Sequence, residues 1–520
     1  MGTSDYSGFQ TQKSKKFYTD LSGINSNQDN REKIDKSLIE KIQLKVSIKN
    51  IKSGCEYQIK LYNINDNQKN PINEINNCIL QDNKVVILNT TILIDYYFEK
   101  DQNLLIEIIR IEKNIPEEFQ VKTTLGCIMG SRKNSTSTNI SSSDSEILVL
   151  EGEKFEKTEE LLYIKLEIRT FRYIKFDDVK YKMYYEIYSD KILYRSECLN
   201  DRGIFDNVKI PSALFKDNKL KILFYKNTRK VVGNFTLSIN KFINKEIFNF
   251  NLNGIALKVI SNSCLIKNYS FVDYLKAGVQ IGLLIAIDFT KSNGDPNNGD
   301  SLHYIDGVNL NQYERAIYTC GHMIAYYDYD QLFPAFGFGA KIDKYDDSVP
   351  VFNLNFEKDP DIKLIQGVIE AYHKAVYKIE FSGPKLFAPI IRKINKMIKK
   401  DINNFKYNIL MILTNGKIND MNETIDELVE SSFLPLSVVI IGVGCGDFSQ
   451  MKILDADINP LINSKGEKAC RDLVQFVPFL KFEKNPEKLS NEVLAEIPKQ
   501  LVEYYDQNNF IIINYLNIYN

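Results

Sequence analysis

The hydrophobic pattern of this chain changes its period near Tyr269, and that change constrains the fold more than any other feature. Before this point, short segments alternate apolar and polar residues, as residues 42–48 do, which is the period of a half-buried strand. Further short strands are predicted at residues 84–88 and 103–109. Short strands separated by polar turns are typical of β-sandwiches, so we predict an all-β region up to about residue 265.

Beyond Tyr269, continuous apolar segments alternate with longer helical patterns. Residues 279–287, 407–413 and 436–443 are apolar on both faces, as parallel strands covered by helices on two sides require. Between them, residues 387–402 carry apolar side chains at helical spacing. We therefore predict a multidomain fold class, with two all-β sandwiches followed by a doubly wound, Rossmann-like α/β domain.

The expected domain boundaries follow from these patterns and from a polar segment at the start of the chain. The first forty residues contain too few apolar side chains to offset the entropy lost on ordering. A Ser-rich stretch at residues 131–146 interrupts the apolar pattern, and we interpret it as a loop near a domain junction. The predicted units are a polar N-terminal tail (1–40), a first sandwich (41–160), a second sandwich (161–266), the α/β domain (268–506) and a C-terminal tail (507–520).

Charge and cysteine usage exclude several classes of partner and compartment. The formal net charge is -1, so the chain has no overall field that would attract nucleic acid, and no nucleic-acid partner is expected. Eight cysteines are scattered singly, without a C-x-x-C pair, which predicts a reducing, cytoplasmic compartment. Because no apolar run approaches the roughly 20 residues that span a bilayer, we expect no transmembrane segment.

Six segments in the second half of the chain carry a resemblance to a known family, in the same order as in that family. They resemble the signature series of the copine A domain, whereas over residues 42–265 the resemblance depends on domain order and strand pattern. It implies that the two sandwiches are C2-type domains and that the α/β domain is a von Willebrand A-type domain. The segments are VDYLKAGVQIGLLIAIDFTKSNGDP, SLHYIDG, FPAFGFGAK, IQGVIEAYHKAV, FSGPKLFAPII and CRDLVQFVPF.

The resemblance implies a function without catalysis. Copines are cytosolic proteins whose C2 domains bind phospholipid in response to calcium and whose A domain recruits other proteins. We therefore expect no enzyme, but an adaptor or scaffold with protein ligands at the A domain, located in the cytoplasm, at a membrane or in a cytoskeletal assembly. Two hypotheses are open: a peripheral membrane adaptor, and a component of a larger assembly that has kept the scaffold while its cation sites were lost.

The resemblance also implies a MIDAS-like cation site, in which oxygen ligands hold Mg²⁺ or Mn²⁺. Asp288, Thr290 and Ser292 fit the family pattern Asp-x-Ser/Thr-x-Ser directly after a predicted strand, where ligands gather in doubly wound sheets. Lys385 stands where copines usually carry Thr, and Asn415 stands where they carry Asp. The ligand set thus loses a carboxylate, gains an ammonium and becomes close to neutral, so we expect Mg²⁺ or Mn²⁺ binding to be weak or absent.

Several alternatives are open at this site. The ammonium of Lys385 can lie where the metal would sit and pair with Asp288, or its flexible stem can point to solvent. Asp288 and Ser292 can also serve only to shape the loop, since Asp and Ser side chains readily bond nearby backbone groups. A role for Asp288 as a phosphoryl-accepting nucleophile is disfavoured, because nothing resembling its usual acid-base partner follows.

The candidate calcium loops of the sandwiches lack the carboxylates that Ca²⁺ requires, so we predict no Ca²⁺ binding. In the second sandwich, the basic residues Lys226, Arg229 and Lys230 occupy the loop where a copine would show Asp-x-Asp.

Asp177 and Asp178 lie in another candidate loop, where basic residues outnumber them. In the first sandwich, Arg110 and Glu112 align loosely with the paired aspartates of a calcium loop.

The same basic loop offers a second possibility, which is contact with anionic phospholipid without calcium. Lys226, Arg229 and Lys230 are the candidates, and each basic residue near such a surface contributes about 1 kcal/mol. Three such residues would give weak attachment, and the alternative is an ordinary solvated β-hairpin.

Overall fold

The computed structural model of the chain describes most of the region between residues 39 and 508. Several residues considered above lie outside the described ranges: nearly all of the N-terminal tail, most of the C-terminal tail, Asp177, Asp178 and Arg229. The described ranges are 39–65, 68–73, 78–81, 84–88, 92–141, 145–170, 183–199, 203–226, 230–243, 247–252, 255–342, 350–456 and 459–508.

The first all-β region is a sandwich of two antiparallel sheets. Its elements are β1 (Glu40–Lys49), β2 (Cys55–Asn65), β3 (Gln68–Asn73), β4 (Cys78–Gln81), β5 (Val85–Leu88), β6 (Ile92–Tyr96), β7 (Asn103–Glu112), β8 (Ile115–Thr124), α1 (Leu125–Gly130), β9 (Ser135–Asn139) and β10 (Ile147–Lys154). One sheet has the order β4-β5-β1-β10-β9, with β6 also on β1, and the other has the order β3-β2-β7-β8. As the alternation predicts, Ile42, Leu44, Val46 and Ile48 of β1 are buried, and they share a core with residues of the second sheet.

The described residues of the Ser-rich stretch belong to this sandwich and include a strand, so its interpretation as a loop near a domain junction is wrong. Its residues Ser135–Asn139 form the edge strand β9, which pairs with β10 from Asn139 opposite Ile147 to Ser135 opposite Glu151. None of the five side chains of β9 is fully buried. A polar strand suits the edge of an antiparallel sheet, because one of its faces meets water. Composition alone did not reveal that these polar residues continue a ladder.

The second all-β region has its own core. Its elements are β11 (Glu159–Ile164), β12 (Leu166–Thr170), β13 (Met183–Tyr188), β14 (Ile192–Arg195), β15 (Val208–Pro211), β16 (Lys219–Lys226), β17 (Lys230–Ser238), α2 (Ile239–Ile243), β18 (Ile247–Leu252), β19 (Ile255–Ser261) and β20 (Cys264–Asn268). The sheets have the orders β15-β11-β20, β12-β19-β18 and β14-β13-β16-β17. Ile164 of β11 and Ile168 of β12 are buried together with Tyr185 of β13 and Phe224 of β16, so these strands pack face to face as a second sandwich.

The rest of the described chain is an α/β domain built on a mostly parallel sheet. Strands β21, β22, β27, β28 and β29 run parallel in the order β22-β21-β27-β28-β29, while β24 and β25 pair antiparallel with β22. The elements are α3 (Phe271–Lys276), β21 (Gln280–Asp288), α4 (Gln312–Ala325), β22 (Leu332–Phe338), β23 (Ala340–Lys341), β24 (Val351–Asn353), β25 (Asp361–Lys363), α5 (Leu364–Lys378), β26 (Glu380–Phe381), α6 (Ala388–Lys400), β27 (Lys406–Thr414), α7 (Met421–Ser431), β28 (Leu436–Gly442), α8 (Ser449–Leu454), β29 (Val474–Pro478), α9 (Pro486–Leu494) and α10 (Ile497–Gln507).

Helices cover both faces of this sheet, which explains why its strands are continuously apolar. Leu283 and Ile285 of β21 belong to one core with residues of α4 and α5, whereas Leu284 and Ala286 belong to another with residues of α6 and α7. The doubly wound arrangement predicted from the sequence is confirmed. Strands β21 and β27 are parallel neighbours, so the residues that follow them meet at one edge.

The first sandwich packs tightly against the α/β domain. The hydroxyls of Tyr96 and Tyr327 lie 2.6 Å apart, and the ring of Phe98 contacts those of Phe271 and Tyr327 at centroid distances of 5.1 and 4.7 Å. At Gly130, a Cβ atom would stand 2.1 Å from a backbone oxygen of the α/β domain, so a side chain there would push the two apart. Among the described residues, no helix is long and apolar enough to cross a membrane.

Candidate functional site

The carboxyl edge of the parallel sheet brings together all five residues of the predicted cation site. Asp288 is the last residue of β21, and Thr290 and Ser292 lie in the loop that follows. Asn415 directly follows β27, and Lys385 precedes α6. These residues come from three separate segments, which hydrogen bonds and an ion pair join.

The carboxylate of Asp288 is completely buried and accepts hydrogen bonds on both oxygens. Its Oδ1 accepts from the backbone N–H of Thr290 at 2.9 Å and from the hydroxyl of Thr290 at 2.6 Å. Its Oδ2 accepts from the hydroxyl of Thr414 at 2.7 Å and lies 2.8 Å from the ammonium of Lys385. The charge of this buried carboxylate is therefore balanced inside the protein.

Lys385 points into the site and not to solvent. Its side chain is 7% exposed, and its ammonium donates a hydrogen bond to Oδ1 of Asn415 as well as pairing with Asp288. The backbone of Lys385 is also fixed, because its N–H donates to Oδ1 of Asn419 at 2.9 Å and its carbonyl accepts from the N–H of Asn419 at 2.9 Å. Of the two orientations considered from the sequence, the structure shows the one that pairs with Asp288.

Ser292 and Asn415 complete a continuous hydrogen-bond network. The hydroxyl of Ser292 donates to Oδ1 of Asn415 at 3.0 Å and lies 3.0 Å from the hydroxyl of Thr290. The bond from the N–H of Thr290 to Asp288 closes a tight turn, which is the loop-shaping role considered above. Oδ1 of Asn415 thus accepts from both an ammonium and a hydroxyl, so the amide serves the site as a neutral acceptor.

Sequence reasoning missed residues whose hydrogen bonds hold the site residues in place. Asn293 is 2% exposed, and its amide donates to the carbonyls of Asp288 at 3.1 Å and Thr290 at 3.0 Å. Its Oδ1 accepts from the hydroxyl of Tyr313 at 2.8 Å. Thr414 was also missed, although its place one residue before Asn415 at the end of an apolar strand could have indicated it.

His303 is a second missed support, and it is uncharged. Its ring lies between those of Phe289 and Tyr313, with centroid distances of 5.1 and 4.1 Å. Its Nε2 lies 2.9 Å from the carbonyl of Asp288, and its Nδ1 lies 2.8 Å from the hydroxyl of Tyr372. Burial lowers the pKa of His303 to about 4, so the ring is neutral at physiological pH. Donation from Nε2 and acceptance at Nδ1 fit the neutral imidazole.

Two glycines let neighbouring loops press against the site. A Cβ atom at Gly339, where φ is 76°, would lie 2.2 Å from the side chain of Thr290. A Cβ atom at Gly446 would lie 1.8 Å from the carbonyl oxygen of Asn415. The site loops are therefore confined on two sides by backbone.

The resemblance implies Mg²⁺ or Mn²⁺ at this site, but the residues present do not fit such an ion. The ammonium of Lys385 lies within hydrogen-bonding distance of the Asp288 carboxylate and would repel a divalent cation placed against it. A hard cation also favours several negatively charged oxygens, whereas Asp288 is the sole carboxylate among the five site residues. Within the described part of the chain, no group of three or more His, Cys, Asp or Glu residues is placed to hold a metal ion.

Arg110 does not lie in a loop of the first sandwich, so its alignment with a calcium-loop aspartate is wrong. It belongs to β7 and is 4% exposed. Its guanidinium donates to Oε2 of Glu146 at 2.6 Å and pairs with Glu117. Glu112 is the last residue of the same strand, opposite Ile115 of β8. Arg110 is therefore part of a buried ion pair within the sandwich.

The basic residues of the second sandwich lie at the described ends of a hairpin. Lys226 ends β16 and pairs with Lys230, the first residue of β17. Lys230 is exposed and Lys226 is half-buried, while Val231 beside them is 44% exposed. Arg229 lies outside the described residues, so the structure describes two of the three predicted lipid-contact residues, Lys226 and Lys230.

Comparison with solved structures finds distant similarities. Manganese-loaded TRAP protein of Plasmodium vivax shows 12% identity over 43% of this chain and 74% of its own, with a TM-score of 0.26. A pair of C2 domains from Extended-Synaptotagmin 2 shows 11% identity over 48% of this chain and 98% of its own, with a TM-score of 0.18. Human GIVD cytosolic phospholipase A2 shows 9% identity over 58% and 42%, with a TM-score of 0.17. These similarities are too low to assign a fold or a function.

Comparison with family models gives a more specific result. Residues 301–512 match the model of the copine family, which is less than half of the chain. The match contains Lys385 and Asn415, while Asp288, Thr290 and Ser292 come before its first residue. The α/β domain is therefore copine-like from residue 301 onward.

Proposed function

We propose that this chain is a copine-like adaptor or scaffold without catalytic activity, in which the α/β domain binds a protein partner. In this proposal the two sandwiches are C2-type domains that act without calcium, and the chain is a component of a larger assembly. The observation that carries the proposal is the ion pair between Lys385 and Asp288, which neutralises the site from within.

The ion pair bears on how a partner would bind. In the cation site that the family resemblance implies, a metal ion keeps one coordination position open for a partner's carboxylate. Here Asp288 is fully buried and the side chain of Lys385 is 7% exposed, so neither is available to a partner without rearrangement. Recognition would then depend on surface shape and fixed charge around the site.

The loop between β21 and α4 offers such a surface. Val308 is 87% exposed and Leu310 is 47% exposed, which is unusual for aliphatic side chains so close together. The carboxylate of Asp306 accepts from the backbone N–H groups of Val308 and Asn309, both at 2.7 Å, and so fixes the turn that presents Val308. The same loop also packs against the segment that follows β28. A Cβ atom at Gly444 would lie 2.9 Å from the side chain of Leu302.

The alternative function is calcium-dependent phospholipid binding, as in typical copines. It requires carboxylate-rich loops, whereas Arg110 is buried in a strand and Lys226 and Lys230 are basic. These two lysines favour, at most, a calcium-independent attraction to anionic lipid.

Vesicle co-sedimentation of the full chain tests the proposal against this alternative. We expect the fraction that pellets with phosphatidylserine-containing vesicles to be the same in calcium and in a calcium chelator. A calcium-stimulated increase, absent with vesicles of phosphatidylcholine alone, would refute the proposal. The double variant K226A/K230A separates basic attraction from the rest, because it should reduce calcium-independent pelleting without making it calcium-dependent.

Size fractionation of native extracts tests the assembly. We expect the chain to elute well above its own mass of 60.1 kDa, at the same volume with EDTA and with magnesium. Elution as a monomer in both conditions would contradict the scaffold function, and a shift to monomer with EDTA alone would contradict cation-independent binding.

A further inference from the structure

We propose that the ammonium of Lys385 is a built-in cation, which takes the structural place of a divalent ion at the carboxyl edge of the sheet. This inference concerns the chemistry of the site itself. Its tests do not depend on whether the chain binds a protein partner or a membrane.

The ammonium of Lys385 joins three segments at the edge of the sheet. It bonds Asp288 at the end of β21 and Asn415 directly after β27, while its own backbone belongs to the segment before α6. A metal ion holds loops together in the same way, through oxygen atoms from several segments. An ammonium has three N–H donors and needs fewer partners than a divalent ion with six ligands.

The backbone of Lys385, from which the side chain extends, is held in place by hydrogen bonds. Asn419 bonds both the N–H and the carbonyl of Lys385, each at 2.9 Å. Two residues further on, the N–H groups of Phe387 and Ala388 donate to the carboxylate of Asp420 at 3.1 and 2.8 Å. Because the backbone is held on both sides of the side chain, less conformational freedom remains to be lost when the ammonium is placed.

Lys385 also balances the charge of the site. The other described donors to the Asp288 carboxylate are neutral N–H and O–H groups of Thr290, Asn293, Thr414 and Asn415. Lys385 therefore supplies the positive charge that this buried carboxylate requires. A second carboxylate at position 415 would leave the site with an excess negative charge, whereas Asn415 keeps it neutral. The two departures from the family pattern thus compensate each other.

A reversal experiment tests the inference. In the double variant K385T/N415D, the ammonium is removed and a second carboxylate is added. Titrating the full chain with Mn²⁺ in a calorimeter should show one bound ion per chain for this variant and no saturable binding for the unaltered chain. The single variant N415D is the matched control, because it adds the carboxylate but keeps the ammonium, and it should bind no Mn²⁺.

Two outcomes would overturn the inference. One is saturable Mn²⁺ binding by the unaltered chain that is lost in D288N. The other is a folded K385T/N415D chain, with a cooperative thermal transition, that binds no Mn²⁺.

A measurement on the unaltered chain keeps the inference testable if the double variant does not fold. Amine acylation followed by peptide mass analysis should label the exposed Lys291 of the same site and leave Lys385 unlabelled, with and without Mn²⁺. Labelling of Lys385 that appears only when Mn²⁺ is added would show that the ion displaces the ammonium, and would refute the inference.

Discussion

Two buried ion pairs in the described part of the chain are alike in exposure and differ in their place in the fold. In the first sandwich, the side chains of Arg110 and Glu146 are 5% and 1% exposed. In the α/β domain, those of Lys385 and Asp288 are 7% and 0% exposed. Arg110 lies within strand β7, where its planar guanidinium also reaches Glu117. Lys385 lies at the edge where a doubly wound sheet gathers ligands, and its ammonium is a compact point charge.

This difference teaches that burial of an ion pair does not by itself indicate function. The arginine pair joins strand β7 to the residue that precedes β10 in the same sandwich, which is a structural task. The lysine pair joins the segments that would hold a cation in the site that the family resemblance implies. Substitutions in the two pairs should therefore change the free energy of unfolding by different amounts.

The largest effect is expected for Arg110→Met. It leaves Glu146 buried without its cationic partner, which should lower the free energy of unfolding by about 3–5 kcal/mol. Denaturant unfolding monitored by circular dichroism measures this change. The double variant R110M/E146Q should recover much of the loss. If R110M were as stable as the unaltered chain, the pair would not be structural.

Low pH should lower the free energy of unfolding of the chain, because His303 beside the site is buried in its neutral form. The pKa of His303 is about 4 in the folded chain, below its ordinary value of 6.5, so the unfolded chain binds the proton more readily. Its contribution is therefore fully present above pH 6.5 and is lost as the pH falls from 6.5 toward 4, up to about 3 kcal/mol.

The unfolding free energy of the chain, measured at several pH values, tests this contribution. The variant H303Q should lose this part of the pH dependence and show a flatter slope below pH 6.5. Equal slopes for the two chains would contradict the buried neutral state of His303.

A smaller effect is expected for Lys385→Met, which should destabilise the chain by about 2 kcal/mol. The loss is smaller than at Arg110, because Asp288 keeps bonds on both of its oxygens, from Thr290 and Thr414, whereas the described donor to Oε2 of Glu146 is Arg110 itself. The hydroxyl of Tyr57 and the N–H of Lys52 both bond Oε1 of Glu146. The matched control is K291M at an exposed lysine of the loop that follows β21, which should change stability by less than about 0.5 kcal/mol. A loss in K291M as large as in K385M would show that the ion pair contributes nothing specific.

The smallest effect on stability is expected for Val308→Ser. The residue is 87% exposed, so the change should stay within about 0.5 kcal/mol. If the loop binds a partner, the same variant should reduce recovery of the chain in the high-mass fraction of native extracts. Loss of stability in V308S would mean that Val308 is packed and not available for binding.

The fold was largely predictable because the hydrophobic pattern of each strand reflects which of its faces are buried. Strand β1 alternates buried and open positions, and β21 is apolar on both faces, so one-sided and two-sided burial follow directly from the pattern. The polar edge strand β9 was not predictable in this way, since its pairing with β10 satisfies the backbone and leaves little apolar signal.

The sequence was enough to predict which residues form the candidate site, but not how their side chains are directed. Asp288, Thr290 and Ser292 follow one strand, so the sheet brings them to its edge. The direction of Lys385 depends on Asn419, 34 residues away in sequence, and on a flexible stem with many rotamers. Arg110 was misplaced for a similar reason, because its partner Glu146 lies 36 residues further along the chain.

The most direct test of the account is a crystal of the full chain soaked in Mn²⁺ and measured for anomalous scattering. We expect no anomalous peak within coordination distance of Asp288, and we expect density for the Lys385 side chain beside that carboxylate. A manganese peak bridging Asp288 and Asn415, with Lys385 turned away, would contradict it.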